Sequence, residues 1–134
     1  PELRKIIIDS AKQHNLPIHE DGTVVIIEGP RFSSRAESEF FRKSGWHIIN
    51  MTQYPEIVLA REMEICYVNI SIITDYDAGM KNEPGINPVS LSDVIHVFRE
   101  NNEKLKNLLY EIIPKISDER TCVCANALEG SRFN

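Results

Sequence analysis

The chain has 134 residues, 42% hydrophobic and 26% charged, with a net charge of −5 and a pI of about 5.4. That length predicts one domain, residues 1–134, with a real core, and the acidic balance argues against nucleic acid or an anionic membrane as partner. No apolar run approaches the ~18 residues of a membrane-spanning helix; three cysteines, an odd number, and the lack of a charged leader make the cytoplasm the expected compartment.

In chain order, PELRKIIIDSAKQHNL places Leu3, Ile6, Ile7, Ala11 and Leu16 at helical spacing, and Pro1 suits a first helical turn. After the polar break HEDG, TVVIIEG (23–29) is a continuous β-branched run, predicting a strand buried on both faces. Ser34-Arg35-Ala36-Glu37 has capping-box spacing, opening a helix to about Ser44 with Gly45 as its stop. WHIIN (46–50) predicts a second strand, PEIVLAREME (55–64) a helix and CYVNISIIT (66–74) a third strand. A loop rich in glycine, proline and asparagine spans 77–88. Ser90-Leu91-Ser92-Asp93 repeats the capping-box spacing before the longest helix, to about Ile113, in which Val94, Phe98, Leu105, Leu108 and Ile112 form an apolar stripe. Pro114 ends it. No internal repeat or interdomain linker stands out.

This alternation predicts an α/β fold with a largely parallel (mixed) sheet flanked by helices. Such sheets bind ligands outside the carboxyl ends of their strands. EGPRFSS, NMTQYPE and TDYDAG sit there, after the first, second and third strands. The last carries Asp75 and Asp77, planted where an apolar run ends. A loop Asp-x-Asp is commonly a solvated turn or a cap. A divalent-cation site would want more oxygen ligands than this loop offers, so no metal is expected. Catalytically, a carboxyl group at the edge of an apolar strand can be kept protonated by desolvation and deliver its proton to a leaving group.

The other candidates have ordinary readings beside functional ones. Phe32 is either loop packing or a stacking platform for a planar ligand. Met51 is core filler and Thr52 a helix cap unless the strand end is a site. Ser33, Ser34 and Arg35 could cradle an anion at a helix N-terminus. The histidines at 14, 19, 47 and 96 lack metal-ligand spacing, and His47 reads as strand packing. Cys122-Val123-Cys124 is an isolated pair, redox-active or metal-binding only with further support. The residues alone lead to an α/β domain with a small-molecule site at its strand ends.

EGPRFSSRAES (28–38), NMTQYPEIVLARE (50–62) and ITDYDAG (73–79), in that order, are more specific together than apart. They resemble the 5′-methylthioadenosine phosphorylase branch of the trimeric purine nucleoside phosphorylase family. The resemblance runs from PELR to the cysteine-containing CVCANALEG, and a complete family member is about twice as long. Its upstream half carries a glycine-containing phosphate loop, an Arg-His phosphate motif and the first strands. The chain therefore looks like a C-terminal half, whose expected partner is that upstream half.

The resemblance implies phosphorolysis, in which phosphate attacks C1′ of a nucleoside and a purine leaves. Phosphate is then a co-substrate, and no cofactor is implied. Phe32 would stack on the purine, Met51 would lie under the ribose with Asn50 beside it, and Thr52 would offer a hydroxyl to phosphate. Asp75 and Asp77 would hold the base as the catalytic pair, with Ser33 and Thr74 among the substrate-binding residues. Two departures from the purine nucleoside branch favour aminopurines: Ser33 replaces a glutamate, and Asp75 an asparagine. Leu91, Val94 and Ile95 stand where that branch puts a histidine for the 5′-hydroxyl, a greasy surface suited to a methylthio group. Gln53 and Tyr54 depart from the usual pair of small residues before Pro55-Glu56. The family also implies a homo-oligomer, trimer or hexamer.

Overall fold

A computed structural model describes residues 2–80, 84–86 and 90–131. It has the expected α/β character: helices α1 (Glu2–Gln13), α2 (Arg35–Lys43), α3 (Glu56–Glu62) and α4 (Leu91–Ile112), with strands β1 (Val24–Ile26) and β2 (Ile48–Asn50) between the first three. The loop expected over 77–88 lies partly outside the described residues. Its start is a short 3₁₀ turn, Ala78–Met80. The chain divides into two compact units, the first comprising 1–18, 53–70 and 105–134, the second 19–52 and 71–104.

The first unit owes its core to paired helical positions. Ile7 and Ala11 on α1 and Leu108 and Ile112 on α4 are spaced four apart, so each pair lies on one face, and all four are buried. Ile6, Leu16, Ile18, Val68 and Ile70 pack around them. Ser10, 1% exposed, is reached by Lys115 Nζ at 2.9 Å, and Lys115 also bonds Glu111 at 2.5 Å. Asn15 ends α1 in the left-handed region, φ 52°, where asparagine is tolerated.

In the second unit, β1 and β2 pair in parallel, Val24 opposite Ile48, Val25 opposite Ile49 and Ile26 opposite Asn50. Ser34 caps α2 as its spacing predicts: its hydroxyl accepts from Glu37 N–H at 3.3 Å, and Glu37 returns a bond to Ser34 N–H at 2.7 Å. Gly45, φ 73°, follows the end of α2, and Phe41 then stacks on Trp46 with centroids 5.7 Å apart. At the start of α4, Ser90 Oγ accepts from Asp93 N–H at 3.2 Å and its hydroxyl donates to Asp93 Oδ2 at 2.5 Å, a cap without the reciprocal bond seen at α2.

Four expectations fail, each for a physical reason. Residues 66–74 form no strand, because a strand exists only through its ladder, and none pairs with this run among the described residues. β1 is half-buried and Ile26 exposed, because in a two-stranded ladder both strands are edges. The α4 stripe is buried only at Leu108 and Ile112, while Phe98 is 48% exposed. His47 is exposed and polar in its role: Thr23 N–H donates to its Nδ1 at 3.0 Å.

Gly79 shows how tightly the 3₁₀ turn meets α2. Its N–H donates to Ser38 Oγ at 2.9 Å, and an added Cβ would come 2.9 Å from Ser38 Cβ. Gly79→Ala is therefore expected to lower unfolding free energy by about 1–3 kcal/mol, the usual cost of overpacking, measured by denaturant titration. An unchanged midpoint would show that the turn yields freely.

Candidate active site

Of the three stretches singled out from the sequence, EGPRFSS and TDYDAG lie in the second unit, and NMTQYPE lies there only as far as Thr52. β1 delivers the chain into Glu28-Gly29-Pro30-Arg31, after which Phe32 and Ser33 precede the α2 cap. Ser33, 7% exposed, donates its hydroxyl to Asp77 Oδ1. That bond, with the Ser38–Gly79 clamp, fixes the 75–79 loop against the start of α2. At the end of β2, Met51 presses on the first loop: its Sδ lies 3.1 Å from where a Gly29 Cβ would stand. Only glycine leaves that space open.

The carboxylates differ in their partners. Asp75 Oδ1 accepts from the neighbouring Thr74 hydroxyl at 2.5 Å. Asp77 accepts from Ser33 through one oxygen, while its Oδ2 is buried with no hydrogen-bond partner among the described residues. A buried acceptor without a donor costs free energy of about 1–3 kcal/mol, a cost that an N–H or O–H donor would relieve. Phe32, 63% exposed, is not packed into a core. An exposed aromatic face suits stacking on a flat ring.

The β2 end is organised by Asn50, whose Oδ1 accepts from Thr52 N–H at 2.7 Å. Thr52 is exposed and caps no helix: α3 begins after Pro55 without a side-chain cap. Arg31 grips Glu37 through its two terminal guanidinium nitrogens at 2.9 and 2.7 Å, bracing the loop that presents Phe32. The Arg31 bonds, followed by those from Ser34, hold Glu37 down at about 2 against its ordinary 4.5. At the opening of α4, Leu91 is 73% exposed, Ile95 41% exposed and Val94 half-buried, an apolar surface open to solvent.

Sequence reasoning missed the Ser38–Gly79 clamp and the Arg31–Glu37 brace. The spacing of Arg31 and Glu37 across the helix start was the available signal for the second; the first pairs residues 41 apart and had none. It also left Cys122 and Cys124 as an isolated pair, whereas Cys66 joins them in the first unit. The Cys122 hydrogen bond pushes the Cys66 thiol up to about 11, and the same bond lowers Cys122.

Residues 1–114 match the phosphorylase superfamily. The chain is 54% identical over 129 residues to S-methyl-5′-thioadenosine phosphorylase of Pyrococcus horikoshii, covering 96% of this chain and 48% of that protein. Its fold is similar to a mutant adenosine/methylthioadenosine phosphorylase of Schistosoma mansoni in complex with adenine, at TM-score 0.80 and 30% identity over 96% of this chain and 50% of that one. It is also similar to another mutant of that enzyme in complex with methylthioadenosine, at TM-score 0.77 and 30% identity over 96% and 48% of the two chains. The chain thus spans about half the length of the curated relatives it matches.

The site makes two stability predictions. Because its bound state holds Glu37 below 4.5, the brace stabilises the fold fully above pH 4.5 and loses that contribution as pH falls toward about 2. Melting temperatures of the parent and Glu37→Gln should differ above pH 4.5 and converge near pH 2; a gap independent of pH would contradict this. Ser33→Ala, which strips Asp77 Oδ1 of its donor and leaves both oxygens without one among the described residues, should cost about 1–3 kcal/mol in equilibrium unfolding.

Proposed function

The chain belongs to the phosphorylase superfamily, and on that premise we propose that it forms the base- and ribose-binding portion of a 5′-methylthioadenosine phosphorylase. The reaction yields adenine and 5-methylthioribose 1-phosphate. The observation that carries this reading is the buried, unpartnered Oδ2 of Asp77, whose other oxygen is held by Ser33, the chain neighbour of an exposed Phe32. At position 6 adenine presents an amino donor next to the N7 acceptor, whereas a 6-oxopurine presents a second acceptor there. A carboxylate oxygen lacking a donor therefore favours the aminopurine.

In the proposed mechanism a phosphate oxygen attacks C1′, the C1′–N9 bond breaks and its electron pair passes into the purine. Asp75, protonated, donates to N7 and surrenders that proton as the base departs, so adenine leaves neutral while the sugar becomes cationic. Asp77 receives the amino group or steadies the proton on Asp75, and Thr74 orients Asp75 through their hydrogen bond. Phe32 stacks on the ring, Met51 lies under the ribose with Asn50 beside it, and Thr52 turns its exposed hydroxyl to phosphate. Leu91, Val94 and Ile95 receive the methylthio group.

The half-length match supports a second element of the reading: residues 1–134 are the C-terminal part of one phosphorylase domain, and the upstream half supplies the remaining phosphate contacts. Phosphate is a co-substrate and no cofactor takes part. The assembled protein is a trimer or hexamer in the cytoplasm.

The test is adenine release from 5′-methylthioadenosine, dependent on phosphate, by this chain together with its upstream half. Methylthioinosine serves as the comparison, and hypoxanthine released faster than adenine would reverse the base assignment. Asp75→Asn keeps the shape of the side chain and removes the acid, so kcat should drop by about 10²–10⁴, the usual contribution of general acid catalysis. Turnover near that of the parent would remove Asp75 from the mechanism.

A further inference from the structure

The first unit draws all three cysteines of the chain into one cluster. Cys66 follows α3, and Cys122 and Cys124 flank Val123 in the tail. Their sulfur atoms all lie within 4.8 Å of one another, Cys66 Sγ is 3.2 Å from Cys122 Sγ, and each is a half-buried free thiol.

Bonds that do not involve sulfur hold this grouping. Glu64, in the left-handed region at φ 55°, turns the chain out of α3 toward Cys66. Its carbonyl accepts from Arg120 Nη1 at 2.8 Å and its Oε1 from Leu128 N–H at 3.2 Å, so one residue grips the tail on both sides of the Cys-Val-Cys step. Glu2 Oε1 accepts from the N–H of Thr121 at 3.0 Å and from its hydroxyl. Two carboxylates from different segments thus fix the pair opposite Cys66 and pre-organise the three sulfurs.

The geometry points to a three-thiolate site for a thiophilic d¹⁰ cation, Zn²⁺ or Cu⁺. Metal–sulfur bonds of about 2.3 Å set two sulfurs on one ion about 3.8 Å apart, so the cluster accepts an ion if the Cys66–Cys122 pair opens by roughly half an ångström. Soft thiolates select these ions over hard cations. Each thiol gives its proton to solvent as its sulfur binds, so three protons leave per ion. A closed structural zinc site takes four protein ligands, and only three such groups converge here among the described residues. Zn²⁺ would therefore keep one position for water, whereas Cu⁺ would be filled by three. The site is independent of the phosphorolysis residues, which belong to the second unit.

The test titrates the reduced, metal-free chain with Zn²⁺ and, separately, with Cu⁺, each against a chromophoric chelator, and with Cd²⁺ as a spectroscopic probe. One ion per chain, proton release and a thiolate-to-Cd charge-transfer band of three-sulfur intensity are expected. Cys66→Ser and Cys124→Ser, checked for folding by circular dichroism, should bind about tenfold or more weakly, at least the loss typical of disturbing a metal's surroundings. Should a variant fail to fold, the band intensity of the parent chain decides the sulfur count. The assignment is overturned if the reduced parent binds no ion stoichiometrically, if the band persists at full strength without Cys66, or if Cys66 and Cys122 remain disulfide-bonded under reductant.

Discussion

The hydrogen bond from Ser33 to Asp77 is the constraint on which the carboxylate end of the site depends. Ser33 has no freedom to wander, because the next residue is the α2 cap and the preceding loop is braced by Arg31 on Glu37. A helix start, a set of ordinary polar bonds, becomes the platform that orients a carboxylate 44 residues away. The Ser38–Gly79 contact repeats the device one turn along, so the 75–79 loop is held at two points rather than one. Two anchors fix direction as well as position, and direction is what a proton donor and an acceptor oxygen require.

The sequence was most readable where structure is local. Both Ser-x-x-acid steps are caps, since their bonds close within four residues and need nothing from the rest of the chain. Helix periodicity placed α1, α2, α3 and α4 to within a few residues. The failures concern what distant partners supply. Residues 66–74 have the composition of a strand, but composition cannot provide a ladder. Phe98 fits a helical stripe by spacing, yet burial depends on what lies opposite. In the site, the Phe32 and Met51 stretches were legible as strand-end loops, while the Asp77 stretch follows a run that forms no strand; the Ser33–Asp77 bond was not legible, because hydroxyl and carboxylate are common and their pairing follows from the fold.

The two units divide the labour of their side chains. In the first, apolar burial dominates: Ile7, Leu108 and Ile112 are almost wholly enclosed, each worth roughly 1.5–3 kcal/mol. Its polar bonds, through Glu2 and Glu64, serve to tie the tail down. The second unit has little enclosed apolar volume among its described residues, and its order comes from capping, bracing and the short parallel ladder. Within this polar framework Asp77 Oδ2 is buried without a hydrogen-bond partner among the described residues.

The approach of Met51 to Gly29 makes these two positions one unit of variation. A bulkier residue at 29 would displace the thioether, while a shorter one at 51 would open a void that a side chain at 29 could refill. Their substitutions should consequently be non-additive. Repacking this junction between the two loops is a two-residue problem, inaccessible by scanning either position alone.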